Sequence, residues 1–411
     1  MKAAACGHAE IVSLEVAGAQ PGLPGWPLRA PRDALLDLGR YIEKARGADL
    51  DVAFALGRYD DFALDGIARL GVWRLHADGA REVVEGAPLT ACSLRVRLEA
   101  GAEPRIAAQA WTRTERLSIA GNRERVLARA TGLAALALRD AQRYGRGWLE
   151  QCRATPEKQG RTTISPIKAL KVVARNRAAS LVASLRYAEQ GFIAHRPANG
   201  PITPALEHFT RLPGSWRAPF AAGRHIFFED RGRIGVFGPG TEPVMLFEGA
   251  GPSVVENHLM TSDTRLYRCV EFPLKWRFER QLVEFCSHAT LHRASDRWWL
   301  FATGEFDDEL NLFHATKLTG PWIPHARNPV KSDARGARPA GRLYWRNGAL
   351  YRPALVNAPR EAMGVAIHRV LRLTPQEYAE RQVETIPGVR AVNYCAELTV
   401  VDAFTRRLRF A

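Results

Sequence analysis

The carboxy-terminal half of the chain repeats one short pattern, in which a polar turn is followed by an apolar strand. The pattern occurs in EDRGRIGVF (229–237), SDRWWLFAT (295–303) and WRNGALYR (345–352). Trp276 and Trp322, which both follow apolar strands, stand 46 residues apart. Repeats of about this length, each made of four short strands, are typical of β-propeller blades. The pattern predicts an all-β propeller over 191–411, with room for four or five blades.

The preceding region alternates strands with helices. The predicted strands lie in 50–56, 71–75, 93–98 and 106–111, and the predicted helices in Phe62–Leu70 and Asn122–Tyr144. This alternation is typical of an α/β unit, which we place at 49–145. Residues 1–48 are expected to be irregular because prolines recur in them. No glycine-rich phosphate loop is present, so a nucleotide-binding fingerprint is absent. The predicted fold class is therefore α/β plus all-β.

Positive charge is concentrated between these two regions. The chain has a formal charge of +15, and residues 146–187 contain nine Lys or Arg and only two acids. Within a linker at 146–190, Ser165-Pro166 begins a predicted helix that continues to about Glu189. One face of it is basic (Lys168, Lys171 and Arg175) and another is apolar (Leu170, Val173, Leu181 and Leu185). Such a helix either docks on a neighbouring domain or lies on an anionic membrane through 165–189.

The remaining composition narrows the partners and the compartment. Because the basic excess is local, a chain-wide nucleic-acid surface is not expected. The six cysteines lack metal-finger spacing and are expected to be reduced thiols, and the histidines show no zinc spacing. The amino-terminal residues lack the apolar run of a signal peptide, and no stretch approaches a membrane-spanning length. We therefore expect a cytoplasmic protein without a bound metal.

A polar loop at 328–345 (NPVKSDARGARPAGRLYW) is the main candidate for binding. Its charged residues are Lys331, Asp333, Arg335, Arg338 and Arg342. Loops positioned by a β scaffold often carry binding groups, and guanidinium groups suit carboxylates, phosphates and vicinal hydroxyls. The loop therefore predicts contact with a saccharide or a sugar phosphate. The alternative is that these side chains connect blades through backbone carbonyls.

Two further sets of residues are candidates for chemistry. Asp307, Asp308 and Glu309 lie between two strands, and paired carboxylates can act as acid and base on a glycosidic bond. The alternative is that they are solvated turn residues. His76 follows a strand end and could polarise a carbonyl or accept a proton. The alternative for His76 is a hydrogen-bonded structural histidine.

Residues 49–144 resemble the later half of the formyltransferase fold, on ADLDVAFALG, ARLGVWRLHADG, EVVEGAPLTACSLRVRLEAG and GNRERVLARATGLA. The resemblance is to bacterial formyltransferase-like proteins and implies a partial Rossmann-type unit. Formyltransferases use an Asn, a His and an Asp, and of these only His76 falls on its motif position. Arg74 replaces the Asn, and the stretch around Ala102 offers no Asp. The resemblance thus implies a catalytically degenerate unit in a bacterial protein.

Residues 191–402 resemble a propeller found in the N-terminal part of glucosamine inositolphosphorylceramide transferases and, distantly, five-bladed glycoside hydrolases. The motifs are RWWLFAT, ELNLFHATKLTGPWIPHARNPVKSDARGARPAGRLYW, ALYRPA and VLRLTPQEYAER. The resemblance implies a five-bladed propeller. His288 stands where the family has an Asp, and Arg390 stands where it has a His, which argues against an intact acid–base pair.

These observations leave three hypotheses. The first is a sugar- or glycolipid-related protein whose propeller binds a saccharide or sugar phosphate and whose α/β unit is degenerate. The second is an active sugar N-formyltransferase or related transferase, which would need formyl-tetrahydrofolate and His76. The third is a peripheral membrane adaptor that uses 165–189.

Overall fold

The computed structural model describes residues 50–55, 66–155, 164–197 and 208–409. The described residues divide into two compact units. The first extends to Val173 but omits 87–89 and 111–114, and the second comprises those two segments and the residues from Ala174 onward. The predicted irregular segment 1–48 lies outside the described residues.

The first unit contains a four-stranded sheet. Its elements are β1 (Ala53–Ala55), β2 (Val72–His76), α1 (Ala80–Glu85), β3 (Leu89–Arg97), β4 (Arg105–Arg113) and α2 (Ile119–Gln151). The strand order is β1-β2-β3-β4, with β1 parallel to β2 and β2 antiparallel to β3. The four predicted strands are confirmed at slightly shifted bounds. Residues 66–70 form turns rather than the end of a helix, because Gly66 adopts a positive φ.

Helix α2 begins earlier than the predicted 122 because Ser118 caps it. The Ser118 side chain accepts a hydrogen bond from the Gly121 N–H. Val126, Ala130 and Leu133 lie on one face of the helix and are buried in the core of this unit. Leu127 is 54% exposed because it lies one residue, and so about 100°, around the helix from Val126.

Helix α3 (Pro166–Arg186) begins at the predicted proline but stops at Arg186, because a strand starts at the next residue. None of its described residues is buried. Of the predicted apolar stripe, Leu170, Leu181 and Leu185 are more than half exposed. Within the described ranges, no helix combines the length and the apolar character needed to cross a membrane.

From Tyr187 onward, the second unit consists of short antiparallel strands. In chain order they are β5 (Tyr187–Pro197), β6 (Thr210–Arg211), β7 (Arg217–Ala222), β8 (His225–Asp230), β9 (Arg233–Phe237), β10 (Val244–Glu248), β11 (Ser253–Val255), β12 (His258–Met260), β13 (Arg265–Glu271), β14 (Lys275–Gln281), β15 (Ser287–Ala294), β16 (Arg297–Thr303), β17 (Glu309–Ala315), β18 (Ile323–Pro324), β19 (Lys331–Ser332), β20 (Tyr344–Arg346), β21 (Ala349–Val356), β22 (Gly364–Leu373), β23 (Tyr378–Pro387), β24 (Val389–Tyr394) and β25 (Leu398–Leu408). The predicted turn-and-strand pattern is confirmed at β9, β16 and β21.

These strands form five sheets among the described residues of the unit. The first four sheets run β7–β10, β11–β14, β15–β18 with β19 added, and β20–β23. The fifth has the order β24-β25-β5-β6 and so joins the last two strands to the first two. Strand β25 pairs with β5 from Leu398↔Pro197 to Leu408↔Tyr187. The unit is a β-propeller, and this pairing closes it into a ring, as propellers require to protect their sheet edges.

The first strand of each sheet lies nearest the axis of the ring. Strand β7 contacts β24 and β11, and β11 contacts β15. In the fourth sheet the irregular segment 338–346 takes this place, because Ala340 donates to Pro353 O and Leu355 donates to Arg338 O. We call the end where these strands begin the front face and the end where they finish the back face. Arg338 and His288 lie at the front face, and Arg346 and Ala294 at the back face.

Candidate functional site

The structure distributes the five charged residues of the 328–345 loop over four different environments. Lys331 lies in β19 with its side chain mostly buried. Its Nζ lies 2.7 Å from Glu380 Oε1 and 3.0 Å from His368 Nε2. Burial lowers the pKa of Lys331, and Glu380 opposes that shift. Lys331 is therefore part of an internal charge network rather than of an open surface.

Glu380 is the centre of this network. Arg352, which is fully buried, donates from Nε and Nη2 to the two Glu380 carboxylate oxygens at 2.8 and 2.7 Å. Tyr378 donates its hydroxyl to Glu380 Oε2. Burial alone would raise the pKa of Glu380, but Arg352 and Lys331 outweigh it and hold that pKa well below its usual range. A bidentate, hydrogen-bonded pair of this kind keeps both charges in place.

Arg352 also holds the loop. Its guanidinium donates to Gly336 O at 2.6 Å and to Ala337 O at 3.2 Å. The network therefore fixes the backbone immediately before Arg338.

Asp333 and Arg335 satisfy each other. Arg335 donates from Nε and Nη2 to the two Asp333 carboxylate oxygens at 2.9 and 2.7 Å, and its backbone N–H donates to Asp333 Oδ1 at 2.9 Å. The Arg335 side chain is 52% exposed. An exposed pair this local contributes little to stability and neutralises both charges.

Arg338 lies at the front face among three side chains from other loops and strands. Its Nη1 lies 3.4 Å from Asp307 Oδ2 and 3.7 Å from Glu361 Oε1, and its Nη2 lies 3.3 Å from His288 Nδ1. The two carboxylates are 59% and 58% exposed, whereas the Arg338 side chain is 18% exposed. We call Arg338, Asp307, Glu361 and His288 the front cluster. It presents donors and acceptors of both signs to solvent.

A backbone irregularity aims His288 at this cluster. The register of β15 against β16 shifts between Ser287 and Thr290, and His288 has a φ of +51°. Such a bulge redirects a side chain from its place in the regular strand. Burial, followed by the Arg338 charge, lowers the pKa of His288 to about 4. At neutral pH the imidazole is therefore uncharged and can both donate and accept a hydrogen bond.

Arg342 connects the fourth sheet with the first and second sheets. Its Nη2 donates to Val254 O at 2.7 Å, and its guanidinium carbon lies 4.3 Å from the centre of the Phe220 ring. Its backbone N–H donates to Asn393 Oδ1 at 2.7 Å. Asn393 in turn donates to Pro219 O. For Arg342 the structure thus favours the alternative interpretation, in which a loop arginine joins blades through backbone carbonyls.

The three consecutive acids separate. Asp307 joins the front cluster, Asp308 is buried, and Glu309 begins β17, where its backbone faces Ser332. The carboxylate that shares Arg338 Nη1 with Asp307 is that of Glu361. Glu361 was not anticipated from sequence, because it lies in a proline-containing loop 54 residues away with no motif around it.

His76 ends β2 in the first unit. Arg74 and Arg95 lie directly opposite each other on β2 and β3. Burial, then Arg95 and Arg74, lower the pKa of His76 to about 4. The imidazole is thus neutral at pH 7, and the charges that oppose its protonation are those of Arg95 and Arg74. In the residues that the structure describes, no cluster of His, Cys, Asp and Glu is suited to a metal ion.

Comparisons with known proteins bear on the propeller. Residues 253–390 match the family model "Glucosamine inositolphosphorylceramide transferase 1, N-terminal". Glucosamine inositolphosphorylceramide transferase 1 of Oryza sativa subsp. japonica is 35% identical over 127 residues, and that of Arabidopsis thaliana is 27% identical over 127 residues. Each alignment covers 29% of this chain and 17% of the relative, so the chain spans a small part of their length. The predicted resemblance to the N-terminal region of these transferases is confirmed, and these relatives are plant proteins.

Solved structures with similar folds include carbohydrate-active enzymes. The GH43 protein BlXynB of Bacillus licheniformis aligns with a TM-score of 0.34 and 18% identity, covering 44% of this chain and 47% of that one. An exo-1,5-alpha-L-arabinanase from a bovine ruminal metagenomic library aligns with a TM-score of 0.31 and 11% identity, covering 46% and 93%.

Proposed function

We propose that the propeller binds a saccharide at the front cluster. The observation that supports this most is the placement of Arg338, whose guanidinium is held between two half-exposed carboxylates and a neutral imidazole. Neighbouring sugar hydroxyls both donate and accept hydrogen bonds, so they can pair with the guanidinium donor and with the carboxylate acceptors. Because Arg352 fixes the backbone before Arg338, the donor is positioned before the ligand arrives, which lowers the entropic cost of binding.

The similar proteins agree with this proposal. His288, Asp307, Arg338 and Glu361 all lie inside the segment that matches the transferase N-terminal model. The matched plant proteins carry the name glucosamine inositolphosphorylceramide transferase 1. This likeness supports a role in sugar or glycolipid chemistry.

The charges of the front cluster favour the binding of sugars without a phosphate over that of sugar phosphates. A phosphate at Arg338 would also meet the carboxylates of Asp307 and Glu361, and like charges at close range repel. Hydroxyl and amino groups instead gain hydrogen bonds from the same carboxylates. We therefore propose neutral or amino sugars, rather than phosphorylated ones, as ligands of the front cluster.

The test is a panel of immobilised glycans, followed by calorimetry with the best ligand. Arg338→Ala removes a charged donor, and we expect roughly 10- to 100-fold weaker binding. The matched control is Arg372→Ala, which removes an exposed ion-paired arginine on the outer part of the fourth sheet. The absence of glycan binding, or binding that Arg338→Ala leaves intact, would reject the proposal.

The exposed helix α3 supports a second function, attachment to an anionic membrane surface. Ile167, Leu170, Leu181 and Leu185 are between 56% and 72% exposed and lie along one side of the helix. Lys168, Lys171, Arg175 and Arg186 lie on the adjoining side, and the helix contains no acid. An apolar side flanked by basic residues is the arrangement by which helices lie in the lipid headgroup region.

This second function is tested by co-sedimentation with vesicles. We expect binding to phosphatidylserine-containing vesicles, weaker binding in salt, and little binding to phosphatidylcholine alone. Combined neutralisation of Lys168, Lys171 and Arg175 to Gln should reduce partitioning about 100-fold, at roughly 1 kcal/mol for each charge. The control neutralises Arg369, Arg372 and Arg381, which are exposed on the outer strands of the fourth sheet. Equal losses in both variants would show that only net charge matters.

We further propose that the first unit does not catalyse formyl transfer. His76 is flanked by Arg74 and Arg95, which oppose the uptake of a proton. Groups that act as a unit lose nearly all rate advantage when partners are missing. The test is turnover of formyl-tetrahydrofolate with amino sugars. Turnover that His76→Ala abolishes would overturn the proposal and favour an active sugar N-formyltransferase.

A further inference from the structure

The propeller has a second concave site, at its back face. A pocket of about 260 Å³ opens between the second, third and fourth sheets. Its polar lining comes from Glu256, His292, Arg293 and Arg342, and Trp298 forms part of its wall. His288 and His292 lie four residues apart on β15, so this back pocket is separated from the front cluster along the strand.

The Arg342 guanidinium is the unusual group in this pocket. Among the described residues, no carboxylate lies within 4 Å of it, and its Nη2 donates only to the neutral carbonyl of Val254. Burial lowers the pKa of Arg342, but an arginine remains charged in proteins. A buried cation without a counter-ion is unfavourable, and an anionic group that reaches it is stabilised.

The other polar groups do not cancel this charge. Glu256 already pairs with Arg293, whose Nη1 lies 2.9 Å from its Oε1. The polar lining therefore has two guanidinium groups and one carboxylate. Arg293 also lies over the Trp298 ring, at 5.6 Å from its centre, which limits its movement.

His292 supplies a second group with unused capacity. The residue is 9% exposed, and its Nε2 is buried with no hydrogen-bond partner among the described residues. Because Nε2 is closed to solvent, a ligand in the pocket meets Nδ1, and in the tautomer protonated there the ring donates one hydrogen bond without carrying charge. The ring centre of Trp345, a residue that is 56% exposed, lies 6.4 Å from that of His292. An apolar ring plane therefore lies beside the polar pocket.

We propose that the back pocket binds the phosphate group of a phosphorylated ligand, with Arg342 and His292 as donors to the phosphate oxygens and Trp345 beside the organic part. Arginine forks and neutral N–H donors are the groups that recognise phosphate. The site is separate from the front cluster, so the phosphate proposal does not depend on the saccharide proposal. Phosphate recognition is thereby assigned to the back face of the ring.

The test measures the affinity of the full chain for inorganic phosphate and for glucose 1-phosphate by calorimetry. His292→Ala should weaken both about tenfold by removing one donor. Glu256→Gln should tighten both about threefold, because it removes a carboxylate beside the anion. Trp345→Ala should weaken glucose 1-phosphate and leave inorganic phosphate unchanged. Equal losses for both ligands in Trp345→Ala would contradict the assignment of Trp345.

The controls distinguish specific phosphate binding in the pocket from nonspecific attraction of phosphate to positive charge. Arg297→Ala removes a cation at the turn between β15 and β16, also on the back face but outside the pocket, and should change neither affinity. Because Arg342 also connects blades, Arg342→Lys is used to keep its charge, and its thermal unfolding is recorded beside its affinity. No phosphate binding, or a weakening by Glu256→Gln, would overturn the proposal. A loss of phosphate affinity in Arg338→Ala but not in His292→Ala would assign phosphate binding to the front cluster instead.

Discussion

At the scale of single residues, the role of each arginine depends on how deeply it is buried and on which group it pairs with. Arg335 pairs locally, Arg338 lies in an open cluster, Arg342 connects blades, and Arg352 neutralises a buried acid. The sequence predicted one charged loop but not this division. The deciding partners, such as Asp307 for Arg338 and Val254 for Arg342, lie 31 and 88 residues away. No local pattern reports such distant contacts.

The buried network predicts a large loss of stability in Glu380→Gln. The substitution leaves Arg352 and Lys331 without a counter-charge in the interior, which typically costs about 3–5 kcal/mol. Urea unfolding measures the difference. The control is Glu377→Gln, whose exposed pair with Arg372 contributes roughly 0–1 kcal/mol. Similar small losses in the two variants would show that the network is not stabilising.

Asp402 predicts a pH dependence of stability. Burial raises the pKa of Asp402 to about 6, from an ordinary 3.8. Between these values the folded state holds a proton that the unfolded state has released, so the free energy of unfolding falls as pH rises from about 4 to 6. Asp402→Asn removes this fall, and at pH 7 it should be more stable than wild type by roughly 1–3 kcal/mol. Unfolding across this pH range is the measurement, with the exposed Asp296→Asn as control.

At the scale of elements, strands with a polar turn and an apolar run were predictable because both signals are local. The strands β9, β16 and β21 are of this kind. The inner segment 338–346 was not recognised as a strand equivalent, because Pro339 and Gly341 suggested only a loop. It is held instead by contacts with β21 and β24, such as Val392 N–H to Ala340 O at 2.9 Å.

Gly341 is predicted to be essential for this inner segment. Its φ is +137°, and a Cβ there would lie 1.9 Å from Val392 O, so the backbone must shift. We expect Gly341→Ala to cost roughly 2–4 kcal/mol. Gly348→Ala is the control, because Gly348 also has a positive φ but open space around it. Thermal unfolding compares the two, and an equal effect would show that only φ matters.

At the scale of the whole molecule, ring closure is the feature least accessible from sequence. Leu398 pairs with Pro197 across about 200 residues, and nothing in either strand identifies its partner. The imperfect repeats predict four or five blades, and the fifth sheet combines strands from both ends of the propeller. Of the residues predicted to contact a saccharide or sugar phosphate, Arg338 lies in the front cluster and Arg342 lines the back pocket, whereas Glu361 was not among them.

Because β25 closes the ring, we expect a proline substitution in β25 to lower stability far more than one in an outer strand. Val401 lies between β5 and β24 and pairs with both Ala194 and Val392. Val401→Pro removes a ladder hydrogen bond at the centre of the sheet and should cost about 3 kcal/mol or more. Val383→Pro is the control, since Val383 is exposed and has no register partner in the edge strand β23. Circular dichroism melts and limited proteolysis measure both, and equal tolerance would argue against a closed ring.

Helix α3 passes into β5 without an intervening loop, since it ends at Arg186 and the strand begins at Tyr187. Tension applied to the helix would therefore pull lengthwise on the closing strand. The ladder from Tyr187 to Pro197 would carry this tension in shear, with its hydrogen bonds strained together rather than opened one at a time. The β5–β25 pairing that closes the ring would therefore also resist tension transmitted through helix α3.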